Sequence, residues 1–264
     1  MDIFVYWYLL PIGITIAVLA MSAGISGTNF WIPVYLIWMG FDEKTGFWLA
    51  LLTMIFGFGS GIVRNLLQKT INWKIVCKYL PYTVVGSLAG TLLVPYAPSR
   101  LLLCVFSVFV MTYGCYLVAR YISDKRSDTG KIQIHSHDSI YRKRAVVAGF
   151  LKGLIATGLG KLILPGIVGH KDIRSAAEAV GTTTMIIFCV NCIALVFRLT
   201  PEFTSALVSQ GNEILQVMIW VAPGVVIGGQ IGPRVAKRLS ADTIRVYVGA
   251  LLILVSLLIG YRAL

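Results

Sequence analysis

Charge is scarce in this sequence. Asp, Glu, Lys and Arg make up 13% of its 264 residues, against about 25% in an ordinary soluble domain. The shortage is uneven: 11 acids stand against 23 bases, with three histidines. So few acids and histidines argue against an enzyme, whose chemistry needs such groups to converge. Cysteine is sparse too. The five present are an odd number and lie in or beside apolar segments, which excludes a disulfide framework. Cys189 and Cys192 have redox-motif spacing, but inside an apolar helix they pack as small hydrophobes. Polar sequence is equally limited. The longest polar stretch, Ser123 to Arg144, leaves no room for a soluble domain. His135 to Asp138 (HSHD) sits in that stretch, and four loop residues do not make a metal site. No cofactor and no metal are expected. The N-terminal run has neither a basic start nor a cleavage site, so no signal peptide is expected, and Tyr6, Trp7 and Tyr8 read as an interfacial belt.

Hydrophobic residues fill the remainder, at 57%. Apolar runs of about 20 residues recur, each able to span a bilayer as a helix. These features predict an all-α polytopic protein, multi-pass in the cell (inner) membrane, with the lipid bilayer as its partner. The net charge of +12 does not indicate nucleic acid. Membrane proteins concentrate Lys and Arg in cytoplasmic loops.

Two stretches share a frame. Pro81–Gly90 and Pro223–Gly232 both read P-x4-G-x3-G. Upstream, Ala50–Thr53 matches Ala179–Thr182, and Gly24…Asn29…Pro33 matches Gly158…Lys161…Pro165. The chain therefore divides into a first transmembrane repeat (1–122), a basic cytoplasmic loop (123–144) and a second repeat (145–264). Each repeat has a broken first segment (6–39 and 145–170) and three clean spans. These are 45–67, 74–95 and 100–122, then 174–199, 213–234 and 242–262. The glycine pairs Gly57/Gly61, Gly86/Gly90 and Gly228/Gly232 are expected to allow close helix packing.

Charge placement tests whether the broken segments cross the membrane. If each dips in and returns, 17 Lys and Arg fall on one side and 4 on the other. If each crosses, the split is 13 to 8. The first arrangement fits the positive-inside rule better. Residues 145–157 would rise only about 20 Å as a helix, short of a hydrocarbon core of about 30 Å. Gly158 and Gly160 are expected to permit the turn, and Pro165 to start the returning helix. Three crossings per half give the halves opposite orientation. The predicted architecture is thus two inverted repeats, each a broken hairpin-like segment plus three transmembrane helices, or 5+5 with half-helices counted.

Irregular backbone at membrane depth is tolerated where it lines a cavity or is buried in protein. Two tips from opposite sides would meet near the midplane, each presenting a half-helix N-terminus suited to an anion. Candidate substrate residues are Ser26, Gly27, Thr28 and Asn29 on the first tip, and Gly158, Gly160 and Lys161 on the second. Gly27 and Gly160 are expected to turn the backbone beside the substrate. Thr53, Thr182 and Thr183 join the candidates by their repeat-related positions. A lysine at the bilayer centre costs about 2.5–3.5 kcal/mol, so Lys161 needs a function or a partner. The partner would be an anionic substrate or Glu178, which could also serve in coupling; the remaining alternative is a side chain that snorkels to the interface. Arg64 and Asn65, near a helix end, are expected at the cytoplasmic surface. The phosphate-loop pattern fails here, because Ile155 stands where it needs glycine and Leu162 where it needs Ser or Thr.

With these residues the chain resembles the sulfite exporter TauE/SafE family. In each half of that family a glycine-rich turn ending in proline precedes an A-x-x-T-S type element. Here these are Gly24–Pro33 with Ala50–Thr53, and Gly158–Pro165 with Ala179–Thr182. The usual three-glycine run is thinned to GISGTN and GLGK, and the serine after the threonine is Met54 or Thr183. The resemblance implies secondary transport of a small sulfur-containing anion such as sulfite, thiosulfate or a sulfonated organic acid. The alternatives are a transporter or channel for another small anion or metabolite, and a membrane-embedded enzyme. Oligomeric state, a homodimer included, is left open.

Overall fold

The computed structural model describes residues 3–23, 25–126, 141–236 and 241–263. Among them are eleven α-helices and no strand. In chain order the helices are α1 (Leu9–Ala23), α2 (Thr28–Pro33), α3 (Glu43–Leu67), α4 (Trp73–Leu93), α5 (Ser99–Arg126) and α6 (Arg142–Ile155). Then follow α7 (Leu159–Val168), α8 (Ala176–Phe197), α9 (Pro201–Ser209), α10 (Gly211–Ala236) and α11 (Ala241–Ala263). Six are long and apolar enough to cross a membrane: α3, α4, α5, α8, α10 and α11. They fall where the clean spans were expected. Helix α9 was not expected, and occupies the connection between α8 and α10.

Capping side chains set several helix starts. Asp42 accepts from the Thr45 N–H, Asn72 from Ile75, Ser175 from Glu178 and Thr200 from Phe203. Each satisfies one of the free amides of a first turn.

The broken segments are helical hairpins. The Tyr8 ring at the start of the first stacks on Trp38 at its end, with centroids 5.6 Å apart. Tyr141, at the start of the second, lies against Gly166 near its end. In each, the two ends of the segment therefore lie side by side. In the second, the turn is made by Ala156 (φ 58°) and Gly158 (φ 98°). Only glycine adopts the latter geometry without strain. Two expectations are corrected here. Gly27 has φ −62°, ordinary helical backbone, and Gly160 lies inside α7. Gly160 makes no turn, and Gly27 lies in the turn between α1 and α2 without needing glycine's freedom. Gly24 lies outside the described residues. Pro165 stands within α7 rather than at its start, and α2 passes after Pro33 into a π-turn over Val34–Trp38. A proline has no N–H to give. Pro33 and Pro165 thus leave the carbonyls of Asn29 and Lys161, four residues earlier, without their helical donors.

Helix α1 packs on α10, α4 on α6, and α5 on α11, while α3 and α8 meet centrally. The α4–α6 contact is made by backbone. A Cβ on Gly86 or Gly90 would lie 2.0 or 2.2 Å from the carbonyl oxygens of Val146 and Phe150. One on Gly149 or Gly153 would lie 2.1 Å from those of Thr83 and Ser87. Lipid tails are as apolar as leucine, so such helices associate by close van der Waals contact, which small residues permit. Gly228 on α10 approaches the Ile14 carbonyl in the same way, at 2.4 Å from its Cβ position.

The ends of α3 and α8 define two faces. On one, Asn72 binds the loop before α8. Its N–H donates to Thr182 Oγ1 at 2.9 Å, and its Nδ2 to the Asp172 carbonyl at 2.9 Å. Lys74 and Lys78 flank the Asp172 carboxylate at 3.1 and 3.7 Å. This is the basic face. On the opposite face, Lys44 Nζ donates to the Pro95 carbonyl at 2.9 Å, and Arg262 donates to the Leu36 carbonyl beside Glu43.

Candidate functional site

A cavity of about 560 Å³ runs from the basic face toward the hairpin tips. Its mouth is formed by Arg64, Asn65, Gln68 and Thr70 at the end of α3, and by Ala176 and Ala177 at the start of α8. Its inner end is formed by Ser26 of the first tip, Gly158, Gly160 and Lys161 of the second, and Thr183 of α8. Arg64 and Asn65 thus line the entrance, a more specific place than the surface expected for them. The lining holds two cations and, among the described residues, no carboxylate.

The tips meet. The Thr157 hydroxyl donates to Asn29 Oδ1 at 2.6 Å, a buried hydrogen bond between residues 128 apart in sequence. Asn29 Nδ2 in turn donates to the Ser26 carbonyl at 2.9 Å, and the Ser26 and Thr28 hydroxyls are 2.8 Å apart. One polar network therefore closes the inner end of the cavity.

Five of the ten candidate substrate residues line this cavity: Ser26, Gly158, Gly160, Lys161 and Thr183. The other five do not. Thr28 and Asn29 are fully buried in the tip network, and Gly27 faces a small void against Met54. Thr53 donates to the Leu49 carbonyl at 2.8 Å and shares a 2.6 Å hydrogen bond with the Tyr35 hydroxyl. Thr182 is taken by the Asn72 N–H. The repeat-related threonines thus hold helices together, and their hydroxyls are already committed. Thr183 borders the cavity while its own hydroxyl donates to the Ala179 carbonyl.

Lys161 sits in the first turn of α7, where helix amides lack internal acceptors. Its ammonium lies over the Tyr113 ring, 4.3 Å from the centroid, with Phe109 at 5.3 Å. A cation over an aromatic face is attracted by the ring quadrupole. Nζ is buried and has no hydrogen-bond acceptor among the described residues. Glu178 is not its partner. That carboxylate stands in the first turn of α8, at the end of the span, and accepts from Asn72 Nδ2 at 3.2 Å and the Arg174 N–H at 2.7 Å.

Sequence reasoning missed the groups that support the second tip. Lys152, almost fully buried, donates to the Ala156 carbonyl at 2.9 Å. Arg198 donates through Nη2 to the carbonyls of Gly153 and Leu154. Both bring positive charge to the C-terminal end of α6, where the helix dipole favours it. The four-residue spacing of Phe109 and Tyr113 was the one available signal for the aromatic seat, since it puts both rings on one helix face. His135–Asp138 lie outside the described residues.

Comparison with known proteins bears on what this arrangement serves. The sequence matches the Sulfite exporter TauE/SafE family over residues 9–259. It is similar to a probable membrane transporter protein of Methanocaldococcus jannaschii, at 24% identity over 252 residues, covering 92% of this chain and 91% of that one. No solved structure matches. A family match over nearly the whole chain, six membrane-length apolar helices and a cavity reaching two hairpin tips agree. The chain is a multi-pass membrane transporter, not an enzyme, and belongs to the Sulfite exporter TauE/SafE family.

Proposed function

We propose that this protein is a secondary transporter of a small sulfur-containing anion, such as sulfite, thiosulfate or a sulfonated organic acid. The anion is bound at the inner end of the cavity, between the hairpin tips. The observation that carries this reading is the cavity lining: Arg64 at the mouth, Lys161 at the inner end, and no carboxylate among the described residues. An anion entering there meets positive charge at both ends and the free amides of the first turn of α7. Its volume of about 560 Å³ exceeds what a bare sulfite needs, leaving room for hydration or an organic substituent.

The halves 1–122 and 145–264 are read as inverted repeats, joined by a cytoplasmic basic segment at 123–144. The packing pattern supports this. Exchanging α1 with α6 and α4 with α10 turns the α1–α10 contact into α6–α4. Exchanging α3 with α8 turns α3–α10 into α8–α4, and both pairs of contacts occur. In this reading the cavity opens to the cytoplasm, and the Asn29–Thr157 bridge is the barrier to the other side.

Counterflow of radiolabelled sulfite in proteoliposomes tests the function. Uptake that is accelerated by unlabelled sulfite or thiosulfate inside the vesicles, and not by chloride, is expected. No counterflow with sulfite, thiosulfate or a sulfonated acid would overturn the sulfur-anion assignment.

A further inference from the structure

Two of the helices that border the large cavity, α3 and α8, lead at their opposite ends to a second one. It measures about 260 Å³. Its lining includes Lys44 and Thr45 at the start of α3, Arg198 just past α8, and Thr200 and Ala206 at and within α9. Helix α3 is 25 residues long, about 37 Å at 1.5 Å per residue, so the two cavities lie on opposite faces.

Arg198 is only 4% exposed, yet only one of its three guanidinium nitrogens is satisfied. Nη2 serves the carbonyls of Gly153 and Leu154, while Nε and Nη1 are buried without a partner among the described residues. The Thr45 hydroxyl, on the same cavity, is likewise buried without a partner. Asp42 also lines the cavity, but its Oδ2 caps α3 through the Thr45 N–H. No carboxylate pairs with Arg198 among the described residues. A buried guanidinium N–H without an acceptor is costly, and a charged donor forms its strongest hydrogen bonds with an anionic oxygen. The starts of α3 and α9, both at this cavity, add the positive ends of two helix dipoles.

We propose that this cavity is a second anion site, taking one small oxyanion such as sulfite, a sulfonate or a carboxylate. The anion sits at an unpartnered N–H of Arg198 with the Thr45 hydroxyl beside it. The site is distinct from the one at the hairpin tips and rests on the anion-transporter reading only for the choice of ligand. Because Arg198 also holds the last turn of α6, an anion here contacts the residue that supports the second tip.

Isothermal titration of the purified full-length protein with sulfite tests this, with thiosulfate in parallel. The wild type should show two binding events. Ala206→Phe fills the outer cavity without touching the guanidinium or α6. Arg198→Lys keeps the charge and loses the unpartnered guanidinium N–H groups. Each should weaken one event by about tenfold or more, leaving the other. Lys161→Met should do the converse. Wild-type sulfite binding in Ala206→Phe would overturn the outer site. Should Arg198→Lys fail to fold, Ala206→Phe alone decides. Loss of binding in Ala206→Phe with none in Lys161→Met would retain the outer site and reject the inner one.

Discussion

Lys161 concentrates the functional argument into one side chain. Its ammonium rests on Tyr113 and Phe109 with no hydrogen-bond acceptor among the described residues, so the proposed anion would compete with aromatic faces and not with a carboxylate. A charge-assisted hydrogen bond contributes about 1.5–3 kcal/mol, so Lys161→Met should weaken sulfite binding by about ten- to a hundredfold. Lys161→Arg should retain part of the affinity. Titration calorimetry checks both, and unchanged affinity in a folded Lys161→Met protein would remove the lysine from the site. Glu178→Gln should leave affinity intact and lower thermal stability by about 1 kcal/mol, since the carboxylate serves a helix start. An affinity loss as large as that of Lys161→Met would return Glu178 to the site. At this scale the sequence exposed the lysine and the tip hydroxyls. It concealed what they touch. Symmetry placed Thr53 and Thr182 as equals, yet one meets Tyr35 and the other the Asn72 backbone. Those partners come from elements whose relative positions no local pattern encodes. Arg198 was hidden for the same reason: a basic residue at a helix end reads as a surface charge until α6 is packed beneath it.

At the scale of elements, the hairpin turn and the α4–α6 seam are the places where one added carbon matters most. Gly158→Ala puts a side chain on backbone with φ 98° and a Cβ 3.1 Å from the Phe109 ring. Strain of about 1–3 kcal/mol is expected. Gly149→Val drives a side chain into the Thr83 carbonyl and should cost about 1–3 kcal/mol or more. Gly61→Ala, where the nearest atom to a Cβ is the flexible Met21 Cε at 3.9 Å, should cost little. Thermal unfolding of the three in detergent checks the order, and a Gly149→Val protein as stable as Gly61→Ala would contradict the backbone contact. Most elements were legible. Runs of apolar residues bounded by Asp42, Asn72 and Ser175 announce their own starts, and Gly158 with Pro165 announces a break. The turn itself was displaced toward Ala156, because a non-glycine residue held in left-handed backbone carries no mark in the sequence. Helix α9 was missed because nine residues between two long spans look like a loop.

For the whole molecule, the charge asymmetry predicts sidedness. In a cysteine-free background, Lys69→Cys and Ser209→Cys, both exposed, should label from opposite sides of the membrane, with position 69 cytoplasmic. Labelling from one side would break the inverted arrangement. Helix α9 gives that arrangement a consequence. It sits between α8 and α10, while the corresponding link between α3 and α4 spans only residues 68–72 and holds no helix. If the halves trade conformations during a cycle, the state they reach is not equivalent to the present one, because α9 has no counterpart in the first half. States related by an exact two-fold would be degenerate, and α9 helps to lift that degeneracy. The empty carrier then spends unequal time facing its two compartments, and its half-saturating concentrations for influx and efflux differ even with no gradient and no coupled ion.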